Sequence, residues 1–271
     1  MKTVLVLIDF SYSAFNAARY AVMLAGNSVN CRVILYHSIV RIPVVSDGLL
    51  SIHLDVSMNK LEDVEISLEP YKKPDTIIEC RTDQQELIYA VASIINDESV
   101  DLIVAGGKGK SAGQFLLGSN LIDLISEVTS PLLVIPSEAI YEPVQAAIFA
   151  CDLGEVEKIP VTDIRRFIHY LQCKLYILNV DQHERERVDI EKLIQQKKLH
   201  ELMDAEHPEY HYTNNKKIEG GILRFCNLYE ATLLIVVHKK HGFLHNIIHK
   251  SIAKKLAVDT SIPMLILSET D

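Results

Sequence analysis

Apolar residues along the chain fall into short continuous runs that alternate with longer segments in which apolar positions recur every three or four residues. The runs are typical of buried strands, and the spacing of three and four is typical of amphipathic helices. In the first half, the predicted strands are Val4–Ile8, Arg32–Tyr36, Thr76–Glu79, Leu102–Ala105 and Leu132–Ile135. The predicted helices are Ser13–Ala25, Ser51–Glu69, Gln84–Asn96 and Ser119–Val128. This alternation predicts an α/β fold with a parallel sheet covered on both sides.

The same order of segments occurs a second time. "AAIFACD" corresponds to "VLVLIDF", "KLYILNV" to "RVILYHS", "ATLLIVVHK" to "VDLIVAGGK" and "SIPMLIL" to "TSPLLVI". An ungapped shift of 132 residues places Leu102–Ala105 on Leu234–Val237 and Pro131 on Pro263. One duplicated unit explains this pattern, and the alternative is two unrelated domains that are similar by chance. The polar segment 137–143 marks the join, so we expect domains at 1–138 and 143–271.

Composition excludes several classes of protein. The 271 residues are 48% hydrophobic and carry a formal net charge of −9, which disfavours a general nucleic-acid or anionic-membrane binder. No segment approaches the roughly 20 apolar residues of a membrane span. The five cysteines are scattered without a C-x-x-C pair, which favours free thiols in a reducing compartment. We therefore expect a cytoplasmic protein that binds neither nucleic acid nor membrane.

The stretch "IVAGGKGKSAGQFLLGSN" contains the most informative glycines of the chain. A Walker A loop that ends at Gly109-Lys110-Ser111 would need a glycine at position 104, where the chain has Val104. A G-x-G-x-x-G dinucleotide pattern fails as well, because the glycine that follows Gly109 comes at position 113, one residue too late. Neither of these phosphate-binding motifs is therefore present.

A third pattern fits better, namely Gly106-x-x-Gly109, then eight residues, then Gly118-Ser119 at the start of a predicted helix. This pattern closely resembles the universal stress protein family, whose nucleotide-binding members carry G-x-x-G, nine residues and G-[ST] here. Glycines allow the backbone to approach phosphates closely, and a helix N-terminus favours anions. The resemblance extends over nearly the whole of both halves of the chain. In the first half, "VLVLIDFS" and "LYHS" match the ends of the family's first two strands.

The resemblance implies two tandem copies of an open, five-stranded parallel sheet. Each copy is expected to be Rossmann-like, of the adenine nucleotide alpha hydrolase-like type, with strand order 3-2-1-4-5. It implies that the first copy binds ATP, with Mg²⁺ as a candidate companion ion. The nucleotide-binding residues carried over from the family are Ile8, Asp9, Ser38, Gly106, Gly109, Gly118, Ser119 and Asn120. No catalytic residue and no metal ligand of the protein is expected.

Two departures from the family pattern leave other interpretations open. The long spacer has eight residues instead of nine, and Asn120 stands where an apolar residue is more common. The segment Gly106–Gly113 is also typical of a plain surface loop, and Ser119 of a helix N-cap. Asp9 fits either a ligand contact or a cap of the following turn. Lys108 and Lys110 fit either phosphate contacts or solvated side chains.

The second half lacks the glycine pattern. The shift of 132 places Gly106 on His238, Gly109 on His241, Gly118 on Lys250 and Ser119 on Ser251. We therefore expect a degenerate domain that binds no ATP in the family's manner. His238, His241, His245 and His249 suggest either exposed loop histidines or a transition-metal site, and the lysines around them suggest an anion or an acidic partner.

These observations predict a regulatory stress-response protein that binds an adenine nucleotide in its first domain and is not an enzyme. The resemblance also implies that the two domains pair through their fifth strands and that tandem chains form homodimers. The main alternative is a scaffold of the same fold that binds a protein partner without nucleotide. Metal or anion binding by the second domain is a further alternative.

Overall fold

A computed structural model describes residues 1–39, 47–107, 117–182, 189–238, 256 and 260–270. The chain divides into two compact units, Met1–Tyr141 and Glu142–Asp271. In the part of the chain that the structure describes, no helix combines the length and the apolar character needed to cross a membrane.

The first unit is an open parallel sheet whose strands alternate with helices. Its elements are β1 (Thr3–Leu7), α1 (Tyr12–Ala25), β2 (Arg32–Ser38), α2 (Asp47–Leu68), a 3-10 turn (Glu69–Tyr71), β3 (Ile77–Asp83), α3 (Leu87–Glu98), β4 (Leu102–Gly106), α4 (Leu117–Glu127) and β5 (Leu132–Ile135). The strands lie in the order β3-β2-β1-β4-β5. Every described pair is parallel.

The second unit repeats this topology. Its elements are β6 (Ala146–Ala150), a 3-10 turn (Val156–Lys158), α5 (Val161–Leu171), β7 (Lys174–Asp181), α6 (Ile190–Met203), a 3-10 turn (Asp204–Glu206), β8 (Glu209–Asn214), α7 (Ile218–Leu228), β9 (Leu233–His238) and β10 (Met264–Ser268). The strands lie in the order β8-β7-β6-β9-β10, which is again 3-2-1-4-5 counted within the unit. The predicted fold class, with two tandem copies and this strand order, is confirmed.

The first unit's core is formed where α1 packs on a fully buried sheet. All five residues of β1 and of β4 are buried, as continuous apolar runs in a parallel sheet require. The predicted apolar face of α1 is also buried, through Ala14, Ala17, Ala18, Ala21, Val22 and Ala25. Because this face consists largely of alanine, the helix backbone lies close to the sheet.

Several element boundaries differ from those predicted, and two of the differences lie near predicted site residues. β3 continues to Asp83 instead of ending at Glu79, because its whole length pairs with β2 despite its polar sequence. Tertiary pairing therefore overrides the local apolar pattern. α4 begins at Leu117 instead of Ser119, so Gly118 and Ser119 lie inside its first turn.

Backbone hydrogen bonds show how the two units correspond. The amide of Ile103 donates to the carbonyl of Pro131 at 2.9 Å, and the amide of Leu234 donates to the carbonyl of Pro263 at 3.0 Å. Ile103 therefore corresponds to Leu234 at a shift of 131, whereas Pro131 corresponds to Pro263 at a shift of 132. The predicted ungapped shift of 132 is wrong by one residue along β4 and β9.

The corrected register changes the counterparts of the glycines. Gly106 corresponds to Val237, and His238 corresponds to Gly107 instead of Gly106. Matching two apolar runs by sequence cannot locate a one-residue insertion after them, whereas hydrogen bonds fix the register directly. The other second-half positions in the predicted comparison, His241, Lys250 and Ser251, lie outside the described residues.

A buried asparagine of α1 forms hydrogen bonds with the segment that follows β5. Asn16 is 3% exposed, and its amide nitrogen donates to the carbonyls of Pro136 at 3.1 Å and Ala139 at 2.8 Å. Its side-chain oxygen accepts from Arg19 at 2.7 Å. Because the bonds to Pro136 and Ala139 are buried, losing the Asn16 amide would leave two buried carbonyls without this donor.

We predict that Asn16→Ala lowers the free energy of unfolding of the first unit by about 1–3 kcal/mol, the cost of leaving buried polar groups unpaired. Urea unfolding followed by circular dichroism measures this change. Asn27→Ala is the control, because exposed Asn27 makes one 3.3 Å bond to the Tyr141 hydroxyl. The control is expected to change stability by less than about 0.5 kcal/mol, and equal effects of the two variants would contradict the prediction.

Candidate functional site

The first unit has its topological switch point between β1 and β4, where the chain order of the strands reverses. Ligands of open parallel sheets bind beyond the carboxyl ends of the strands at such a point. Asp9 lies just beyond the end of β1, and Gly106 is the last residue of β4. These two predicted site residues therefore lie at the position expected for a ligand.

Asp9 is exposed and organises the tight connection from β1 to α1. Its Oδ1 accepts from the amide of Ser11 at 3.0 Å and from the Ser11 hydroxyl at 2.5 Å. Ser11 is the N-cap of α1, and its hydroxyl oxygen accepts from the amide of Ala14 at 3.2 Å. The capping interpretation of Asp9 is therefore partly correct: Asp9 stabilises the turn, and Ser11 caps the helix.

Phe10, between these two residues, adopts an unusual backbone conformation. Its φ of 61° lies in the left-handed region that bulky side chains rarely occupy. The Phe10 ring packs on the imidazole of His37 with 4.4 Å between centroids, and the Lys60 ammonium lies 5.4 Å from the centre of the Phe10 ring. Such outliers occur often at functional sites.

The carboxyl end of β2 provides backbone groups at this edge. The amide of Ile8 donates to the carbonyl of Tyr36 at 2.8 Å, and the amide of Ile39 donates to the carbonyl of Asp83 in β3 at 2.9 Å. Because successive residues of a strand direct their backbone groups to alternate sides, the Ser38 amide and carbonyl face the β1 side, beyond the last residue of β1. The Ser38 hydroxyl donates to the carbonyl of Gln85 at 2.6 Å.

His37 is a residue of this edge that the sequence did not single out. Its Nδ1 lies 2.7 Å from the carbonyl oxygen of Ile8, and because a carbonyl only accepts, Nδ1 carries the hydrogen. In the second unit, the side-chain amide of Asn179 donates to the backbone carbonyl of Cys151 at 3.0 Å in the same way. The sequence signal that could have identified His37 is the polar residue at the same position in "LYHS" and "ILNV".

Burial is the main cause that lowers the pKa of His37 below its ordinary value near 6.5. The folded protein therefore favours the neutral imidazole, which keeps Nε2 as an acceptor. This assignment agrees with the hydrogen-bond geometry, because one nitrogen already donates to Ile8.

Gly106 is required by packing at the end of β4. A Cβ atom placed on it would lie 2.7 Å from the carbonyl carbon and oxygen of Ser13 and 2.9 Å from the amide nitrogen of Ala14. These are backbone atoms at the N-terminus of α1, and they cannot move aside as a side chain can. The described structure therefore gives Gly106 a packing role in addition to its predicted place in a phosphate loop.

The amides of Gly118, Ser119 and Asn120 lie in the first turn of α4. First-turn amides have no partner within their own helix and favour anions. Ser119 lies inside the helix, so the alternative that it is the N-cap is wrong. Gly109, Lys108 and Lys110 lie outside the described residues.

Of the four histidines between residues 238 and 249, His238 is buried at the end of β9. His241, His245 and His249 lie outside the described residues, as do Lys239 and Lys240. Across the described part of the chain, no three His, Cys, Asp or Glu side chains are grouped so that they could hold a metal ion.

The sequence model of the universal stress protein family matches residues 1–136. The chain belongs to the universal stress protein family. The resemblance seen in the sequence is thereby confirmed. A search of curated proteins gave no match.

Solved structures share this architecture over the whole chain. A universal stress protein from Archaeoglobus fulgidus DSM 4304 is 16% identical, with coverage of 98% of both chains and a TM-score of 0.74. A functionally unknown protein from Pseudomonas aeruginosa PAO1 is 14% identical, with coverage of 99% of this chain and 93% of that chain and a TM-score of 0.59. The cytoplasmic domain of a prokaryotic cation chloride cotransporter is 8% identical, with coverage of 98% and 94% and a TM-score of 0.54. At these identities the likenesses show the fold alone.

We predict that Gly106→Ala in this universal stress protein destabilises the first unit by about 1–3 kcal/mol, because the added methyl group meets backbone atoms. Urea unfolding measures the change. Gly220→Ala is the matched control, since a Cβ there has no neighbour closer than 3.7 Å and the residue lies in helix α7. The control is expected to be neutral or stabilising by up to about 1 kcal/mol, and a harmless Gly106→Ala would contradict the proposed close packing.

We also predict that His37 makes the first unit less stable in mild acid. Its folded pKa lies below the unfolded value near 6.5, so the unfolded chain takes up the proton more readily. The contribution is complete above 6.5 and is lost as the pH falls from 6.5 through the folded pKa. His37→Asn, which copies the residue Asn179 of the second unit, keeps a side-chain donor and should remove this slope of at most about 1.4 kcal/mol per pH unit.

The test is urea unfolding of wild type and variant between about pH 5 and 7.5. Exposed His53 in α2 provides the control His53→Asn. An unchanged acid slope in His37→Asn, or an equal change in His53→Asn, would contradict the role of His37.

Proposed function

We propose that this universal stress protein is a stress-response regulator that binds an adenine nucleotide, ATP with Mg²⁺, at the carboxyl edge of its first unit. The observation that carries the proposal is the arrangement of residues at the switch point between β1 and β4. There, exposed Asp9 and the backbone of Ser38 lie on the same edge as the end of β4. Family membership and the glycine pattern of residues 106 to 119 support the same assignment.

The groups of this edge match the parts of an adenine nucleotide. The Ser38 amide and carbonyl offer a donor beside an acceptor, which is complementary to the ring nitrogen and the amino group of adenine. The Asp9 carboxylate can accept from ribose hydroxyls while its Oδ1 holds the Ser11 turn. The first-turn amides of α4 supply donors for a phosphate group.

We further propose that the protein is not an enzyme, and that any hydrolysis of ATP is slow and incidental. The Ser11 hydroxyl donates to Asp9, which superficially resembles a nucleophile with its base. The same hydroxyl oxygen, however, accepts from the amide of Ala14 as the N-cap of α1. This bond commits Ser11 to the helix and supports a structural role for the pair.

A scaffold that binds a protein partner without nucleotide is the second candidate. The observation in its favour is the eight-residue spacer between Gly109 and Gly118, one residue shorter than the family pattern. A shortened loop would redirect amides away from a phosphate. Pairing of the two units, homodimer formation and cytoplasmic location remain predictions from the sequence.

We predict that calorimetric titration of nucleotide-free, full-length protein with Mg-ATP gives one site per chain. Gly109→Val should abolish the heat of binding, because a branched side chain in the phosphate loop blocks close approach of the backbone. Gly220→Ala in α7 is the control and should bind as wild type.

Two results would contradict nucleotide binding at this site. No heat, together with no nucleotide released when purified protein is denatured, would favour the scaffold. Equal binding by Gly109→Val and wild type would show that the nucleotide is held elsewhere. Titration with Mg-GTP tests the base, since guanine presents the opposite donor and acceptor pattern to Ser38.

A further inference from the structure

The two units differ in the length of the connection from their first strand to their first helix. In the first unit this connection is residues 8–11, and exposed Asp9 lies within it. In the second unit it is residues 151–160, which include a 3-10 turn at Val156–Lys158. The longer segment, residues 151–160, is called the β6–α5 connection below.

The β6–α5 connection is packed as part of the core. Leu153 is 4% exposed, Val156 is 0% exposed and Ile159 is 8% exposed. Apolar side chains spaced every three residues thus point inward, while Gly154 and Glu157 are exposed. Burying three aliphatic side chains stabilises this conformation, because it removes their apolar surface from water. The segment therefore differs from an ordinary surface loop.

Contacts at both sides hold the β6–α5 connection beyond the ends of the strands. The amide of Thr270, just after β10, donates to the carbonyl of Lys158 at 3.0 Å. On the other side, Glu157 forms an ion pair with Lys198 of α6. Since β6 and β10 end at the same edge of a parallel sheet, the connection contacts both α6 and the chain after β10 at this edge.

The counterparts of Asp9 and Gly106 are more enclosed in the second unit. Asp152 follows β6 as Asp9 follows β1, and its Oδ1 accepts from the amide of Gly154 as that of Asp9 accepts from Ser11, but its Oδ2 is buried. Gly106 at the end of β4 is replaced by Val237 at the end of β9. The first helix of the second unit begins only at Val161, after the longer connection.

We infer that the β6–α5 connection is a built-in plug that closes the carboxyl edge of the second unit to nucleotides. In the second unit the chain itself thus occupies the region beyond the end of β6, where the first unit has only the short connection of residues 8–11. Loss of the glycine pattern and closure of the edge are then two separate reasons why one chain offers a single nucleotide site. Closure of the second unit does not depend on whether the first unit binds ATP.

Cysteine reactivity tests the plug in the full-length protein. Cys151 is the first residue of the connection and is buried, and burial raises the pKa of its thiol. Cys226 in α7 is also buried, with a pKa raised by burial to about 12. N-ethylmaleimide labelling, followed by mass spectrometry of each peptide, should show both thiols reacting equally slowly in wild type.

Val156→Asp places a charge at a fully buried position and should release the connection locally. We expect Cys151 labelling to accelerate by about tenfold or more, with Cys226 unchanged, because opening is local. Val29→Asp is the matched control, since Val29 is 79% exposed, and it should leave both rates unchanged. Saturating Mg-ATP should not change the Cys151 rate in wild type.

Three results would overturn the inference. They are rapid labelling of Cys151 in wild type, no acceleration in Val156→Asp, or acceleration of Cys151 by Mg-ATP. If Val156→Asp accelerates Cys151 and Cys226 together, the unit has unfolded, and the milder Val156→Ala decides. That variant should accelerate Cys151 selectively, and a rate equal to wild type would refute the plug. Absence of ATP binding would refute the proposed function and leave these thiol results unaffected.

Discussion

The close approach of helix α1 to the end of strand β4 is the constraint on which the first unit's site depends. The helix starts after a connection of residues 8–11 and packs through an alanine face. Its first turn therefore reaches the backbone of Gly106, where no Cβ atom can be placed without meeting Ser13 and Ala14. This arrangement keeps the connection short and leaves Asp9 exposed at the switch point. Asp9 is exposed to solvent because the close approach of α1 to β4 goes together with a short connection from β1.

The second unit has a larger residue at the end of its fourth strand and a longer connection before its first helix. With Val237 in place of Gly106, its first helix begins after a connection of residues 151–160. The extra residues bury Leu153, Val156 and Ile159 at the carboxyl edge. One duplicated topology thus has a short connection with an exposed aspartate in the first unit and a long connection with three buried apolar side chains in the second. The length of one connection accounts for the difference.

A hydrogen bond common to both units shows what the duplication has kept. His37 donates to the carbonyl of Ile8, and Asn179 donates to the carbonyl of Cys151. Two different side chains therefore perform the same task of holding the first two strands together at their carboxyl ends. Burial of the His37 ring lowers its pKa, which favours the neutral imidazole even though the bond to Ile8 acts in the opposite direction. The strand ends that support the candidate site are thus structurally fixed.

The sequence by itself determined the fold class, the duplication and the place of the glycine pattern, because apolar period and glycine spacing are local properties of the chain. It also indicated Asp9 and Ser38, which follow or end buried strands. Only the tertiary structure decided the one-residue register between β4 and β9, the inclusion of Ser119 within α4 and the packing role of Gly106. The plug in the second unit could not be predicted from the sequence either. Each of these features depends on which backbone atoms of distant segments meet, and distances between segments remote in sequence are set by packing and hydrogen bonding across the sheet.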